Sequence, residues 1–274
     1  MENVSTTSVK LKRASTHQLI DAHDELAIEE PLEIQIIYKT INNRIQKTIS
    51  ITMRTPGNDE ELALGFLFTE GIIQNKKQVT KTDISVLENK ASITIRENEI
   101  INLPNTERNF YTTSSCGVCG KTSIDAIKTI SAYSNIEDEI RLSTNVFYQL
   151  EKQLRKQQAV FESTGGLHAS ALFDLEGNFI TLREDVGRHN ALDKLIGAAF
   201  LKNELPLTNK ILLLSGRASF ELIQKATMAG IKIIAAVGAP SSLAVQLAEE
   251  TGITLIGFLR NEGFNIYTGE QRIV

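Results

Sequence analysis

The run Ile211-Leu-Leu-Leu-Ser-Gly-Arg-Ala-Ser219 decides how the chain folds. Four consecutive branched apolar residues are too few for a helix and read as a strand buried on both faces. Ser215-Gly216-Arg217 then turns the backbone, and Ser219 stands where a helix would begin. The same rhythm follows twice more. Ile231–Val237 leads into Gly238-Ala239-Pro240 and a helix from Ser241. Ile253–Phe258 leads into Arg260-Asn261-Glu262-Gly263 and a short strand, Phe264–Tyr267. Strands alternating with helices predict a largely parallel sheet covered by helices. Ligands of such sheets bind beyond the carboxyl ends of the strands, in the strand-to-helix loops.

Upstream, His168–Asp174 and Phe179–Arg183 read as strands turned by Glu176-Gly177-Asn178, and Asp185–Phe200 as a helix. Helices are also expected over Asn145–Gln158 and Thr122–Ile130. The first half has a different grain. Leu32–Lys39 and Arg44–Arg54, with Asn42-Asn43 between them, predict a hairpin, and residues 82–96 predict another that turns at Asn89-Lys90. Between the two, Pro56-Gly57-Asn58 breaks the strand. Asn58 is placed to cap a helix whose first turn, Asp59-Glu60-Glu61, suits the positive helix end. Leu62, Phe66, Leu67 and Ile73 give that helix an apolar side, and Gly71 marks its end. Residues 1–30 are polar and without periodicity, so a loose arm is expected there. Asn102-Leu-Pro-Asn-Thr106 separates a small α+β unit over 1–107 from a larger α/β unit over 108–274.

Composition narrows the function. Among 274 residues, 29 are Lys or Arg and 33 are Asp or Glu, a formal net charge of −4. That balance supplies no global basic field to hold nucleic acid by its phosphates. Hydrophobic residues make up 42% and charged residues 23%, which excludes intrinsic disorder of the whole chain. No apolar stretch approaches the roughly 18 residues that a spanning helix needs. The amino terminus has no apolar core for a secretory signal, so a cytoplasmic, membrane-free protein is expected.

The only cysteines, Cys116 and Cys119, lie in Ser-Ser-Cys-Gly-Val-Cys-Gly-Lys121. A thiolate is the reactive form, and its pKa falls near a helix amino terminus or a lysine. Lys121 and the helix expected from Thr122 offer both, and Gly117 and Gly120 leave the sulfurs open to a partner. Four readings stand: a redox pair, a zinc site, packed structural thiols and a sulfur-carrying nucleophile. A thioredoxin-like pair would lack its usual preceding Trp and internal Pro. A zinc site needs more ligands than two cysteines supply nearby, and no structural metal is expected. The same stretch is one residue from a P-loop, with Ser115 where the first Gly belongs, but no hydrophobic strand precedes it. His168, in Thr164-Gly-Gly-Leu-His-Ala-Ser170, echoes the His-x-Glu of zinc deaminases. Ser170 replaces the acid/base Glu there, and the CxxC lies on the wrong side. Glu184-Asp-Val-Gly-Arg-His189-Asn is dense in polar groups for a mere turn, although Asp185 also suits a helix cap. Ser215–Ser219 and Gly238–Ser242 each follow a strand and open a helix, as anion-binding loops do, and ordinary capping would leave the same letters.

Six runs together resemble the formate dehydrogenase accessory sulfurtransferase family, the FdhD proteins. They are Arg54–Gly71, Cys116-Gly-Val-Cys-Gly120, Ser163-Thr-Gly-Gly-Leu-His168, Glu184–Lys194, Ser215-Gly-Arg-Ala-Ser219 and Gly257-Phe-Leu-Arg260, in the family's order. The resemblance implies an α/β protein: an α+β amino-terminal roll, then a three-layer α/β/α domain of cytidine-deaminase type with a mixed, largely parallel sheet. It implies a sulfur carrier. Cys116, with Cys119 as its partner, would take sulfur as a persulfide from a cysteine desulfurase. The sulfur would pass to the molybdenum or tungsten bis(molybdopterin guanine dinucleotide) cofactor before that cofactor enters formate dehydrogenase.

Phe258, Leu259, Arg260, Asn261, Glu262 and Gly263 match the family's cofactor-binding stretch. Gly216, Arg217, Ser219, Gly238, Ser241, His168 and His189 complete the expected site, for which a GDP-like nucleotide would be a mimic. A homodimer is implied as well. The rival readings are a chaperone that binds the cofactor without moving sulfur, and a CxxC redox protein.

Overall fold

The computed structural model describes residues 5–40, 43–99, 101, 103, 131, 133, 138–158 and 163–274. The two cysteines, the helix expected over Thr122–Ile130 and the boundary at 107/108 lie outside them.

Twelve strands are described, in three sheets. β1 (Thr6–Ala14) and β2 (Leu19–Ala27) form an antiparallel hairpin where a loose arm was expected. Their alternation escaped notice because charged residues interrupt it. β3 (Glu30–Lys39), β4 (Arg44–Arg54), β5 (Val79–Ser85) and β6 (Lys90–Ile95) make a four-stranded sheet in the order β4-β3-β6-β5. The two expected hairpins are its outer pairs, and β3 and β6 join them in parallel. α1 (Asp59–Thr69) lies between β4 and β5 in sequence. Its acidic first turn is as expected, but Asn58 does not cap it through its side chain. That residue sits at φ 57°, which carries the chain from the Pro56-Gly57 turn into the helix.

α2 (Asn145–Tyr148) and α3 (Leu150–Gln157) replace the single helix expected there, with a break at Gln149. The six-stranded sheet comprises β7 (His168–Phe173), β8 (Phe179–Asp185), β9 (Ile211–Leu214), β10 (Ile233–Ala236), β11 (Thr254–Arg260) and β12 (Gly263–Thr268). Its order is β12-β11-β10-β9-β7-β8. β9, β10 and β11 are parallel neighbours, as the strand–loop–helix rhythm requires. β7 pairs antiparallel with β9, β8 with β7, and β12 with β11, so four of the six strands point one way. α4 (Arg188–Lys202), α5 (Phe220–Met228) and α6 (Ser242–Glu250) follow β8, β9 and β10.

Strand alternation sorts the core into two. Leu212, Leu214, Ile234 and Leu255 point to the face covered by α4, α5 and α6. There they join Leu62 and Leu67 of α1 and Ile34 and Ile93 of the four-stranded sheet in one continuous apolar cluster. Leu213, Ile233, Ala235 and Ile256 point to the other face, against Phe147, Leu150 and Leu154 of α2 and α3. Helices therefore cover both faces of this sheet, in three layers.

α1 and α4 cross with almost no space between backbones. A Cβ on Gly65 would lie 1.9 Å from the Asp193 carbonyl oxygen, and one on Gly197 would lie 1.8 Å from that of Glu61. Beside the crossing, Lys225 of α5 donates to Asp193 (2.9 Å) and to the Thr69 hydroxyl (2.9 Å), and Thr69 donates to Asp193 (2.8 Å). Glu70 lies 3.5 Å from the same ammonium. The carboxyl terminus closes the second core: Leu142 bridges to Ile273, and the Val274 N–H donates to the Leu142 carbonyl (2.8 Å).

Candidate functional site

The carboxyl ends of β8, β9, β10 and β11 and the amino end of β7 meet along one edge of the six-stranded sheet. The loops leaving β9 and β10 are built on each other. The Gly238 N–H donates to the Gly216 carbonyl (2.9 Å), Ala218 N–H to Ala239 (3.2 Å) and Ser241 N–H to Ala218 (3.0 Å). A Cβ on Gly238 would lie 2.9 Å from the Arg217 backbone, so only glycine permits this stacking. Ser215 bonds β7 through both backbone and hydroxyl, and a Cβ on Gly216 would stand 3.3 Å from Nδ1 of His168. Ser241 caps α6 through its hydroxyl, whereas the Ser219 hydroxyl makes no cap. It lies instead 3.4 Å from Nε2 of His189. Arg217 is exposed beside it.

His189 enters on the first turn of α4, 96% buried, with Glu221 at 3.8 Å. The His189 ring, helped by the Glu221 backbone N–H and the Ser219 hydroxyl, holds Glu221 at about 2. Burial, and then the charges of Arg188 and His189, hold His168 below the usual histidine range. Among the described residues, Nδ1 of His189, Nε of Arg188 and the Ser170 hydroxyl are buried without a hydrogen-bond partner. In His189→Ala the Glu221 carboxyl is expected to titrate above about 2, moving toward its ordinary 4.5, followed by its carbon-13 shift. Glu221 contributes stability above 4.5 that fades as pH falls toward 2, and the variant should lose that contribution; an unchanged titration would remove His189 as its partner.

The amino-terminal half supplies the floor. The Thr55 N–H donates to Asp185 (3.1 Å), the Val186 N–H to the Thr55 hydroxyl (3.2 Å) and the Asn190 amide to the Met53 carbonyl (2.7 Å). Lys194 bridges Asp185 (2.7 Å) and the Thr55 carbonyl (2.8 Å). Asp185 ends β8 and does not cap a helix. It is fully buried, and burial raises its pKa against the pull of Lys194. Arg54, also fully buried, grips Asp59 in a fork with both bonds at 3.0 Å. These roles for Asp185, Asn190, Lys194 and Thr55 were missed from sequence, as were those of Arg188 and Glu221. The density of polar residues in Glu184–Lys194 was the only signal.

The stretch Phe258–Gly263 divides. The Phe258 N–H donates to the Gly238 carbonyl (3.2 Å), which brings that residue to the stacked loops. It sits on a bulge with φ 53° and its ring 45% exposed, a strained backbone for an aromatic residue. Leu259 is fully buried in the second core. Arg260 donates to the Val237 carbonyl (2.8 Å) and turns with Asn261 and Glu262 toward α3. There the three line an open cavity of about 770 Å³ with Glu151, Lys152, Arg155 and Lys156. Gly263 pairs back to Arg260 across the turn. The structure thus brings His168, His189, Gly216, Arg217, Ser219, Gly238, Ser241 and Phe258 together, and places Arg260–Glu262 around the sheet edge from them. No metal-binding group occurs among the described residues. No helix among them is long and apolar enough to cross a membrane.

These features define an α/β protein whose stacked strand-to-helix loops lie at the carboxyl edge of a mixed sheet. Residues 27–274 match the model of the FdhD/NarQ family, and the chain belongs to it. It is 46% identical to the sulfur carrier protein FdhD of Mycolicibacterium paratuberculosis, over 97% of this chain and 99% of that one. It is 49% identical to the sulfur carrier protein FdhD of Streptomyces avermitilis, over 91% and 89%. The fold matches the crystal structure of a formate dehydrogenase accessory protein from Desulfotalea psychrophila, with a TM-score of 0.72 at 22% identity, covering 98% of this chain and 99% of that one.

Proposed function

We propose that the protein is a cytoplasmic sulfur carrier for formate dehydrogenase. It takes sulfur on Cys116 and passes it to the bis(molybdopterin guanine dinucleotide) form of the molybdenum or tungsten cofactor, its cargo. The observation that carries the reading is the stacking of the β9 and β10 loops through Gly216 and Gly238. Two loops that each open a helix present backbone N–H groups side by side, a setting suited to a diphosphate. Arg217 adds a cation, His168 and His189 flank the loops, and the exposed Phe258 ring offers a face on which a guanine can stack. Relatives that share almost the whole chain are named sulfur carriers, which favours transfer over a cofactor chaperone or a redox protein.

The chemistry divides into two exchanges. The Cys116 thiolate attacks the outer sulfur of a persulfide on a cysteine desulfurase, forming the Cys116 persulfide and releasing the donor thiolate. The Cys119 thiolate then attacks the inner sulfur of that persulfide. Hydrosulfide leaves for the cargo and a Cys116–Cys119 disulfide forms, which a dithiol reductant must reopen.

The test is intact mass and peptide mapping after incubation with a desulfurase and cysteine. One added sulfur is expected on the peptide holding Cys116, removable by reductant and absent in Cys116→Ala. A wild-type protein that gains no sulfur from an active donor yet binds GDP would place the chaperone reading first. GDP binding lost in Gly238→Val with loading retained would separate the two halves of the site.

A further inference from the structure

β11 and β12 pair with two interruptions, and an aromatic residue stands at each. On β11, Phe258 and Leu259 together face the single residue Phe264, between the Gly257/Asn265 and Arg260/Gly263 pairs. On β12, Tyr267 is the extra residue between the Leu255/Thr268 and Ile256/Ile266 pairs. A bulge frees a side chain from the alternation of its strand and re-aims it, and bulges gather beside binding sites. Phe258 already belongs to the loop edge. Nothing in the sequence marks Tyr267 as its neighbour there.

The Tyr267 ring lies against the loop that leaves β10. The point where a Gly257 Cβ would stand is 2.9 Å from Cε2 of Tyr267, 2.8 Å from Cδ of Pro240 and 3.4 Å from the Gly238 carbonyl oxygen. That same oxygen accepts from the Phe258 N–H (3.2 Å). The bare backbone of Gly257 therefore lets the ring settle beside Pro240, immediately before the Ser241 cap of α6. Two aromatic residues thus border the Gly238–Ser241 loop, one at each bulge.

Tyr267 keeps 36% of its surface exposed. Among the described residues neither its ring nor that of Phe258 stacks on another aromatic, and the Tyr267 hydroxyl makes no hydrogen bond. A phenylalanine would cover Gly257 equally well. A ring held at its apolar body with its polar tip left free suits a ligand that is itself partly aromatic and partly polar.

We infer that Tyr267 is a nucleoside-contacting residue of this edge, a role that rests on the nucleotide-bearing cargo proposed above. With a diphosphate on the N–H groups of the stacked loops, the attached nucleoside meets the two bulged residues. The Phe258 ring covers the base. Tyr267 holds the nucleoside from beside Pro240, by ring contact and by a hydrogen bond from its hydroxyl. A bare diphosphate reaches neither ring, so Tyr267 distinguishes a nucleotide from inorganic anions that the loops alone would accept.

Isothermal titration calorimetry of the full chain with GDP and with inorganic pyrophosphate tests it. Tyr267→Ala should raise the Kd for GDP about tenfold to hundredfold and leave that for pyrophosphate within about twofold. Tyr267→Phe keeps the ring and should raise the Kd for GDP only about threefold to tenfold. Equal losses for both ligands in Tyr267→Ala would overturn the inference, because the ring would then merely support the Pro240 loop. So would an unchanged GDP affinity in Tyr267→Ala, which would leave the nucleotide site standing without this residue. Wild-type GDP affinity in Tyr267→Phe would overturn the hydrogen bond. A wild-type protein that binds no GDP would instead remove the nucleotide-bearing cargo, and the role of Tyr267 with it.

Discussion

Gly65→Ala lowers the unfolding free energy by at least about 3 kcal/mol, the expected result of forcing one methyl group between two backbones. The new Cβ would sit 1.9 Å from the Asp193 carbonyl oxygen and 2.9 Å from the Gly197 nitrogen. Main-chain atoms of a buried helix cannot rotate away as a long side chain would, so α1 and α4 must separate. The apolar cluster on both sides of the crossing then loses its packing. Gly197→Ala should behave alike, because its Cβ meets Glu61 from the opposite direction. The double variant should cost less than the sum, since one separation accommodates both methyl groups. Urea titration followed by circular dichroism measures all three. Wild-type midpoints for the single variants would show that the helices do not touch as described.

Lys225→Met is the second large effect, about 3–5 kcal/mol, and it depends on pH. Removing the ammonium leaves Asp193 buried among Thr69 and apolar residues with no cation. Burial already raises the Asp193 pKa in the wild type, and Lys225 opposes that rise. Without Lys225 the carboxyl pKa climbs further. Between its unfolded and folded pKa the native state then holds a proton that the unfolded chain has released, so stability falls as pH rises. The variant should be weakest at neutral and alkaline pH and recover toward acid. In the wild type, burial works against the Lys225 charge, but Asp193 and Glu70 outweigh it and raise its pKa. The lysine's contribution is thus full below its unfolded pKa and disappears only at strongly alkaline pH. Paired thermal melts at acid and neutral pH check both statements, and equal losses at both would contradict the argument.

Much of the fold was legible because local pattern and buried environment agree. Ile211–Leu214 and the segments around Ile233 and Leu255 are apolar on both sides because helices cover both faces of their sheet. The loops after β9 and β10 were legible as strand-to-helix turns from glycine and serine placed between the two elements. What failed depended on distant partners. Asp185 looked like a helix cap, since nothing near it in sequence reveals Thr55, 130 residues away. Nothing in the sequence around Glu221 singles it out, and only the fold sets His189 beside it. The β1–β2 hairpin was lost for the opposite reason: its apolar face is interrupted by Arg13 and Asp24.

The pairing of Ile273 and Val274 with Leu142 ties together two stretches far apart in sequence. Bringing such distant segments together costs more loop-closure entropy than forming a hairpin between neighbours. The second core is therefore expected to close after the local hairpins of the four-stranded sheet have formed.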